Sequence, residues 1–401
     1  MDREVVNPRV LVWARETAGL DLATAARKLG LSSGKSVSAV EKLECFESGQ
    51  KEPSDALLAK MSQQYHRPLL SFYLAEPPRT GERGSDFRTL PEDQRREDAP
   101  TIDALVRNVR SRQSLVRSVL EDDEDVKPLG FVASETMKTP PLELADIIIQ
   151  SIAFDRATFR KGEIDDAFRY LRSCVEGAGV YVLLLGNLGT HHTNIDPKVF
   201  RGFAISDAIA PFVVINDQDA RAAWSFTLLH ELAHIWLGQS GISGGPIESG
   251  IEKYCNDVAT AILLSEDEID ADSFADEADL ISFAGKVARN ANVSRALVFY
   301  RLFRRGTISE KVWRSVTDRI FQEWREDRKR QKEESKIRRS DKPGGPNYYV
   351  VQRFHLGNAL ISLVRRSISN GELSPTRAGQ VLGVKATSVY QLVNISERGA
   401  A

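Results

Sequence analysis

The stretch that most constrains this chain is residues 222–238, an apolar, proline-free run that contains His230-Glu231-Leu232-Ala233-His234. On a helix, residues four positions apart lie on one face, so the rings of His230 and His234 can converge on one point. Two neutral imidazoles in this arrangement suit a Zn²⁺ ion. Glu231 lies about 100° around the helix from His230, close to such an ion without having to bind it. The run therefore predicts a helix with two metal ligands and a carboxylate placed to act as a general base.

The alternative interpretation is a buried helix whose two histidines are satisfied by backbone carbonyls. The chain contains only 6 histidines in 401 residues, so a chance occurrence of this motif is on the order of one in a hundred. The alternative also leaves Glu231 without a role, because a buried carboxylate is costly unless it is used or paired.

A catalytic zinc site needs a third protein ligand and an open fourth position. After a glycine-rich turn at 241–250, the apolar positions of 251–264 recur at helical spacing and predict a second helix beside the first. Glu252, near its start, is the expected third ligand. Glu248 in the turn and Asp257 on another face of the helix are rival ligands.

Two further residues of the second predicted helix bear on the site. Asn256 lies one turn after Glu252 and is expected to be a hydrogen-bonding partner of the ligands. Cys255 is three residues after Glu252, so its thiolate is an alternative ligand, whereas a small packing residue is the favoured interpretation.

The polar loop at 189–194 carries His191 and His192. Either ring can line a substrate cleft or stabilise an oxyanion. A solvent-facing loop is the alternative, because no feature of the sequence relates this loop to the metal ligands.

These patterns together resemble the ImmA/IrrE family of zinc metallopeptidases. The resemblance rests on the His230–His234 motif, on Glu252-x-x-Cys255-Asn256, and on Phe200-Arg201-Gly202-Phe203-Ala204 with 210–216. It implies that His230, His234 and Glu252 bind zinc and that Glu231 is the base. It also implies an endopeptidase that cleaves a specific protein, often a DNA-bound repressor, in stress or mobile-element regulation. The alternative is a DNA-binding regulator or a toxin–antitoxin component with a non-catalytic zinc site.

Residues 8–75 resemble Xre-type helix-turn-helix domains, in which the third helix reads base edges in the major groove. The corresponding segment here, 40–47, carries three glutamates, and residues 1–70 hold ten basic and nine acidic side chains. Glutamates facing phosphates are repulsive, so DNA binding by this module and attachment to a partner protein both stay open.

The C-terminal part shows a helix–glycine–helix pattern around Gly383. Basic residues lie nearby, namely Arg365, Arg366, Arg377 and Lys385. The pattern is similar to a second helix-turn-helix, but a packing or dimerising module is the favoured interpretation, which is compatible with a homodimer.

The predicted fold class is mainly α (α+β), with a small antiparallel sheet formed by strands near 179–185, 202–205 and 212–216 beside the zinc helices. A further short strand is predicted at 348–351. The predicted segments are a helix-turn-helix domain at 1–76, a linker at 77–100, a connecting helix at 101–140, a zincin-like helical peptidase domain at 141–330, a charged linker at 331–347, and a C-terminal helical module at 348–401. Within 101–140 the amphipathic pattern covers 101–120, and an acidic break follows at 121–125. The charged linker has an alternative interpretation as a solvated extension of the preceding helix.

Composition limits the other function classes. The net charge of −2 does not indicate a nucleic-acid or membrane-surface protein, so any DNA contact requires a local basic patch. Three widely separated cysteines argue against a disulfide framework and favour a reducing cytoplasm. The longest strongly apolar run, 180–185, is too short to span a membrane, and the N-terminus has no signal-peptide pattern.

Overall fold

A computed structural model describes residues 5–34, 36–78, 95–123, 125–190, 193–243, 250–269, 273–341 and 347–394. The fold is mainly helical with one small sheet, which confirms the predicted α+β class. By packing, the chain divides into two compact units, residues 1–108 with 187–195 and residues 109–186 with 196–401.

The α-helices of the described ranges are α1 Pro8–Thr17, α2 Leu22–Leu29, α3 Ala39–Glu47, α4 Asp55–Gln64, α5 Arg95–Glu121, α6 Pro141–Ser151, α7 Arg156–Phe159, α8 Ile164–Gly177, α9 Arg221–Trp236, α10 Gly250–Leu263, α11 Glu277–Ala291, α12 Arg295–Arg305, α13 Glu310–Asp341, α14 Tyr348–Leu356, α15 Asn358–Ser369, α16 Pro375–Leu382 and α17 Ala386–Asn394. The strands are β1 Tyr181–Leu184, β2 Gly202–Ile205, β3 Phe212–Ile215 and β4 Gly241–Ser243.

The sheet is mixed and has the order β1-β3-β2-β4, so the prediction of an antiparallel sheet is wrong in one respect. Strand β3 pairs antiparallel with β2 but parallel with β1. After β1 the chain forms β2, which lies two positions away in the sheet, and β3 then lies between β1 and β2. Because β1, β2 and β3 are buried along their whole length, their sequences are continuous apolar runs, which do not reveal strand direction.

The first unit contains α1 to α4 around a small apolar core. Polar side chains cap its helices: Asp21 accepts a hydrogen bond from the Thr24 amide at the start of α2, and Ser38 forms a capping box with Glu41 at the start of α3. Helix α2 ends at Leu29 and α3 begins only at Ala39, so their connection is longer than the three or four residues typical of helix-turn-helix motifs. The Xre-type resemblance of this unit stays a prediction.

Two charged segments lie at the ends of long helices. Helix α5 ends at Glu121, where the acidic run 121–125 begins, so the helix does not extend to residue 140. Like-charged neighbours disfavour a further helical turn there. Helix α13, by contrast, continues to Asp341, so most of the predicted charged linker is a helical extension.

The segment 348–351 is helical, and the prediction of a strand there is wrong. It forms the first turn of α14, and the Asn347 side chain accepts a hydrogen bond from the Tyr349 amide at the helix start. A short run of aromatic and β-branched residues is ambiguous between strand and buried helix, and here the cap decides.

A buried ion pair connects the C-terminal helices α14 and α15 to helix α8 within the second unit. Arg172 on α8 pairs with Glu176 at 3.0 Å between Nε and Oε1, and both side chains are 7% exposed. The Arg172 guanidinium also donates to the carbonyls of Phe354 and His355, while Glu176 accepts from the amides of Asn358 and Ala359. The carboxylate thereby caps α15 at its N-terminus.

No helix within the described ranges is both long enough and apolar enough to span a lipid bilayer.

Candidate metal centre

Helix α9 is buried along most of its length, with Trp224 to Trp236 largely inside the core. It stops where the glycine pattern indicates: Leu237 is the C-cap and Gly238 adopts a left-handed conformation with φ 67°. A neighbouring segment satisfies the last carbonyls, since the Ala133 amide donates to Ile235 and the Glu135 amide to Trp236. This burial makes α9 a rigid support for the side chains it carries.

Helix α10 packs directly against α9 and α6. Its inner face consists of small and aliphatic residues in the main core, including Cys255, Val258, Ala259 and Ile262. This packing sets the position of Glu252, in the first turn of α10, opposite the histidines of α9.

His230, His234 and Glu252 converge. The Nε2 atoms of the two histidines are 3.2 Å apart. Glu252 reaches both rings, with Oε2 3.2 Å from His230 Nε2 and Oε1 3.5 Å from His234 Nε2. Among the described residues this is the one group of at least three potential ligands with donor atoms this close together.

The donor set and its spacing fit a zinc ion. Ligand atoms about 2.0–2.2 Å from a common tetrahedral centre lie roughly 3.3–3.6 Å from one another, which is close to the separations of 3.2 to 3.5 Å among these three groups. Two imidazole nitrogens and one carboxylate oxygen also form a recognised donor set for catalytic zinc.

The electrostatics favour an ionised third ligand. Burial acts to raise the pKa of Glu252, but hydrogen bonds from His230 and His234 and their charges outweigh it, so its pKa lies well below the usual range. A carboxylate ligand has to be deprotonated to bind a cation, and this shift favours the ionised form of Glu252 alone, because the two imidazoles bind a metal only when they are neutral.

Glu231 is fully buried beside the group. Its carboxylate lies against the start of β2, where a Cβ on Gly202 would be 2.8 Å from Glu231 Oε1 and 2.7 Å from Thr227 Cγ2. Those separations are too short for a methyl group, so glycine is required at 202 unless the carboxylate moves. Residue-by-residue reasoning on the sequence missed this role of Gly202, because a contact between a strand and a distant helix leaves no local pattern.

Of the rival ligands, Asp257 is engaged by other side chains. Arg304 holds it, with Nε–Oδ1 at 2.7 Å and Nη2–Oδ2 at 2.5 Å, and it also accepts from the Tyr300 hydroxyl. Glu248 lies outside the described residues. Cys255 belongs to the apolar core, and burial raises the pKa of its thiol well above the usual value. A protonated thiol is a poor ligand, which favours the packing interpretation.

Asn256 is buried on α10, and its backbone carbonyl accepts a hydrogen bond from the Thr260 hydroxyl at 2.6 Å. Its expected support of the ligands stays a prediction. His191 and His192 lie outside the described residues, so a place for them in a substrate cleft also stays a prediction.

Comparison with known families agrees with this geometry. Residues 185–303 match the Peptidase_M78 family model, described as an IrrE N-terminal-like domain. This IrrE-like segment contains β2, β3, α9 and α10, and therefore all three converging side chains together with Glu231 and Gly202. No match was found among curated proteins or among solved structures. The match supports a peptidase of the metallopeptidase type, and the cluster supplies a set of groups able to bind a metal.

Proposed function

We propose that this protein is a zinc-dependent endopeptidase that cleaves a specific protein, of the transcriptional-repressor class, in stress or mobile-element regulation. The observation that carries the proposal is the convergence of His230, His234 and Glu252 within an IrrE-like segment. Glu231 lies buried on α9, the helix that also carries His230 and His234.

His230, His234 and Glu252 would hold the ion through two nitrogens and one oxygen. A zinc ion bound in such a site supplies a Lewis acid for the scissile carbonyl and makes water more acidic. Three protein donors are the number that catalytic zinc sites use, whereas structural zinc sites have four.

Glu231 is the proposed proton carrier. Its carboxylate accepts a proton from the attacking water as the new C–O bond forms, and it then passes that proton to the nitrogen of the leaving amine as the C–N bond breaks. The position against Gly202 supports this role, because the contact holds the carboxylate in one place and keeps it away from bulk water. Proton transfer by a positioned group contributes about 10²–10⁴-fold to rate.

Support for a specific protein substrate comes from the ImmA/IrrE resemblance, since hydrolytic chemistry alone does not select a substrate. The competing assignment is a DNA-binding regulator whose metal site is not catalytic. The two assignments differ in what Glu231 does: it is essential for turnover in the first and dispensable in the second.

The deciding experiment compares Glu231→Gln with wild type. We expect the variant to retain one zinc ion per chain, measured by plasma mass spectrometry, and to lose about 10²–10⁴-fold in cleavage rate. Glu143→Gln, the same change at an exposed position on α6, serves as the matched control and should leave both properties unchanged.

The substrate is found by labelling new protein N-termini in cells that produce either wild type or Glu231→Gln. A single protein shortened only by wild type supports the proposal, and a DNA-binding domain in that protein supports the repressor class. Wild-type phenotype in cells producing Glu231→Gln would refute the enzyme assignment.

A further inference from the structure

The last two helices of the chain are joined by a very short turn. Helix α16 ends at Leu382 and α17 begins at Ala386, so only three residues connect them. Gly383, at the end of α16, has φ 66°, a left-handed conformation that favours glycine. A turn of three or four residues that includes a glycine is typical of the helix-turn-helix arrangement.

A close backbone approach inside this pair fixes its geometry. A Cβ on Gly379 would be 2.8 Å from the Val384 carbonyl oxygen and 3.2 Å from the Ala386 amide nitrogen. The turn therefore lies directly on the middle of α16, and glycine at 379 allows it. Both helices also pack on α15, so the arrangement is a compact three-helix unit.

Helix α17 has one buried and one exposed face. Val389, Leu392 and Val393 are buried. Thr387 and Gln391 are exposed one turn apart, and Tyr390 between them is 51% exposed. The outward face thus offers hydroxyl and amide groups, which can hydrogen-bond to base edges.

The C-terminal segment that contains α17 is basic in sequence. Residues 347–394 contain five arginines and lysines and one acidic residue, Glu372, in a chain whose net charge is −2. Four of the basic side chains are exposed, namely Arg365, Arg366, Arg377 and Lys385. Charge of this sign and density suits a phosphate backbone.

The N-terminal helices present the opposite case. Helix α3 carries three glutamates, and the α2–α3 connection at 30–38 is long. One of those glutamates, Glu47, is used internally, since it pairs with Arg15 at 2.7 Å between Nε and Oε1. Two glutamates of α3, Glu41 and Glu44, are exposed, and residues 1–70 carry ten basic and nine acidic side chains, so this part of the chain has no excess of positive charge comparable with that of 347–394.

We propose that the C-terminal unit α15–α17 is a binding site for duplex DNA. Helix α17 enters the major groove, where Thr387 and Gln391 contact base edges, while Arg377 and Lys385 contact phosphates. The Arg172–Glu176 pair joins α15 to α8. The proposed DNA-binding helices and the metal cluster therefore lie in the same compact unit of the chain.

The test uses the full-length protein and a fluorescein-labelled DNA duplex of mixed sequence, followed by fluorescence anisotropy at low ionic strength. We expect binding that weakens steeply with salt. Lys385→Glu and Arg377→Glu should each raise Kd roughly tenfold and lower the slope of log K against log salt by about 1. Selection from a random duplex library should yield a motif with wild type that Gln391→Ala loses.

Two matched charge reversals are the controls. Lys329→Glu changes an exposed lysine on α13, and Lys28→Glu changes one on α2 of the first unit. Both should bind DNA as wild type does. Circular dichroism melting identifies any variant that fails to fold, and the exposed Thr387→Ala provides a second, milder probe of α17.

Three results would overturn the proposal. One is wild-type protein that does not bind the duplex at low salt. Another is a loss of binding with Lys28→Glu but not with Lys385→Glu, which would assign DNA binding to the N-terminal unit. The third is equal affinity for double-stranded RNA, because the narrow major groove of the A-form excludes a helix.

Discussion

Helix α10 carries two carboxylates, Glu252 and Asp257, that differ in their partners rather than in their burial. The Glu252 side chain is 17% exposed and the Asp257 side chain 18%. Asp257 is bound by the guanidinium of Arg304 and the hydroxyl of Tyr300. The Glu252 carboxylate, by contrast, contacts the Nε2 atoms of two imidazole rings.

This difference separates a structural carboxylate from a candidate ligand. A guanidinium carries a permanent charge and fills both oxygens of Asp257 with donors, so little remains for a metal ion. Neutral imidazoles are themselves metal ligands, and a carboxylate placed among them completes a donor set. The sequence presents Glu252 and Asp257 as competitors, and the identity of the facing side chains decides between them.

The largest expected effect is on metal affinity. Glu252→Gln replaces an anionic ligand by a neutral amide, and we expect zinc affinity to fall by more than the roughly 10–100-fold typical of lost outer-shell partners. Competition with a chromophoric chelator measures the change, with Glu143→Gln as the control. Unchanged affinity would mean that Glu252 is not a ligand.

A second change tests the neighbour on α9. Gly202→Ala places a methyl group where the Glu231 carboxylate lies, and a displacement of about 1 Å can cost up to about 100-fold in rate. We expect kcat to fall roughly 10- to 100-fold with KM and zinc content nearly unchanged. Gly177→Ala, at a position with open space, should behave as wild type; equal kcat in the two variants would remove Gly202 from the positioning of Glu231.

Asp257→Asn tests the structural role of the second carboxylate. The loss of charge weakens the contacts with Arg304 and Tyr300, and because the pair is partly exposed we expect a cost of about 1–2 kcal/mol in the free energy of unfolding. Urea denaturation measures it. Zinc content should not change, and a variant that lost zinc would restore Asp257 as a rival ligand.

The smallest effect is expected for Tyr300→Phe. This change removes one hydrogen bond to Asp257 and leaves the Arg304 pair intact, so the free energy of unfolding should fall by about 0.5–1.5 kcal/mol. Tyr348→Phe, at a residue that is 52% exposed, is the matched control in the same urea measurement. A larger loss than that of Asp257→Asn would show that Tyr300 acts through other contacts.

The spacing of neighbouring residues was sufficient to predict a large part of the candidate site. The relation of His230 to His234 follows from the helical repeat, and Gly238 marks the end of α9, so both could be predicted from neighbouring residues. Glu252 required the further assumption that a second helix returns beside the first. That assumption agrees with the packing of α10 on α9.

Other features depend on contacts between segments that are distant in sequence. The direction of β1 relative to β3 follows from where the chain crosses the sheet. Four consecutive buried apolar residues do not show whether a strand pairs parallel or antiparallel. The segment 348–351 is helical because Asn347 caps it and the following residues pack on the domain. Short apolar runs do not distinguish these outcomes.

By itself the sequence determined the mainly helical class, the helix with its two histidines and its glutamate, and the absence of a basic character in the chain as a whole. Only the tertiary structure decided which side chains engage Asp257, why residue 202 is a glycine, and which helix pair combines a short turn with a basic, exposed face. The physical reason is one of range. Helical periodicity and caps act within a few residues, whereas the partner of a buried charge and the room for a methyl group depend on segments that meet only when the chain is folded.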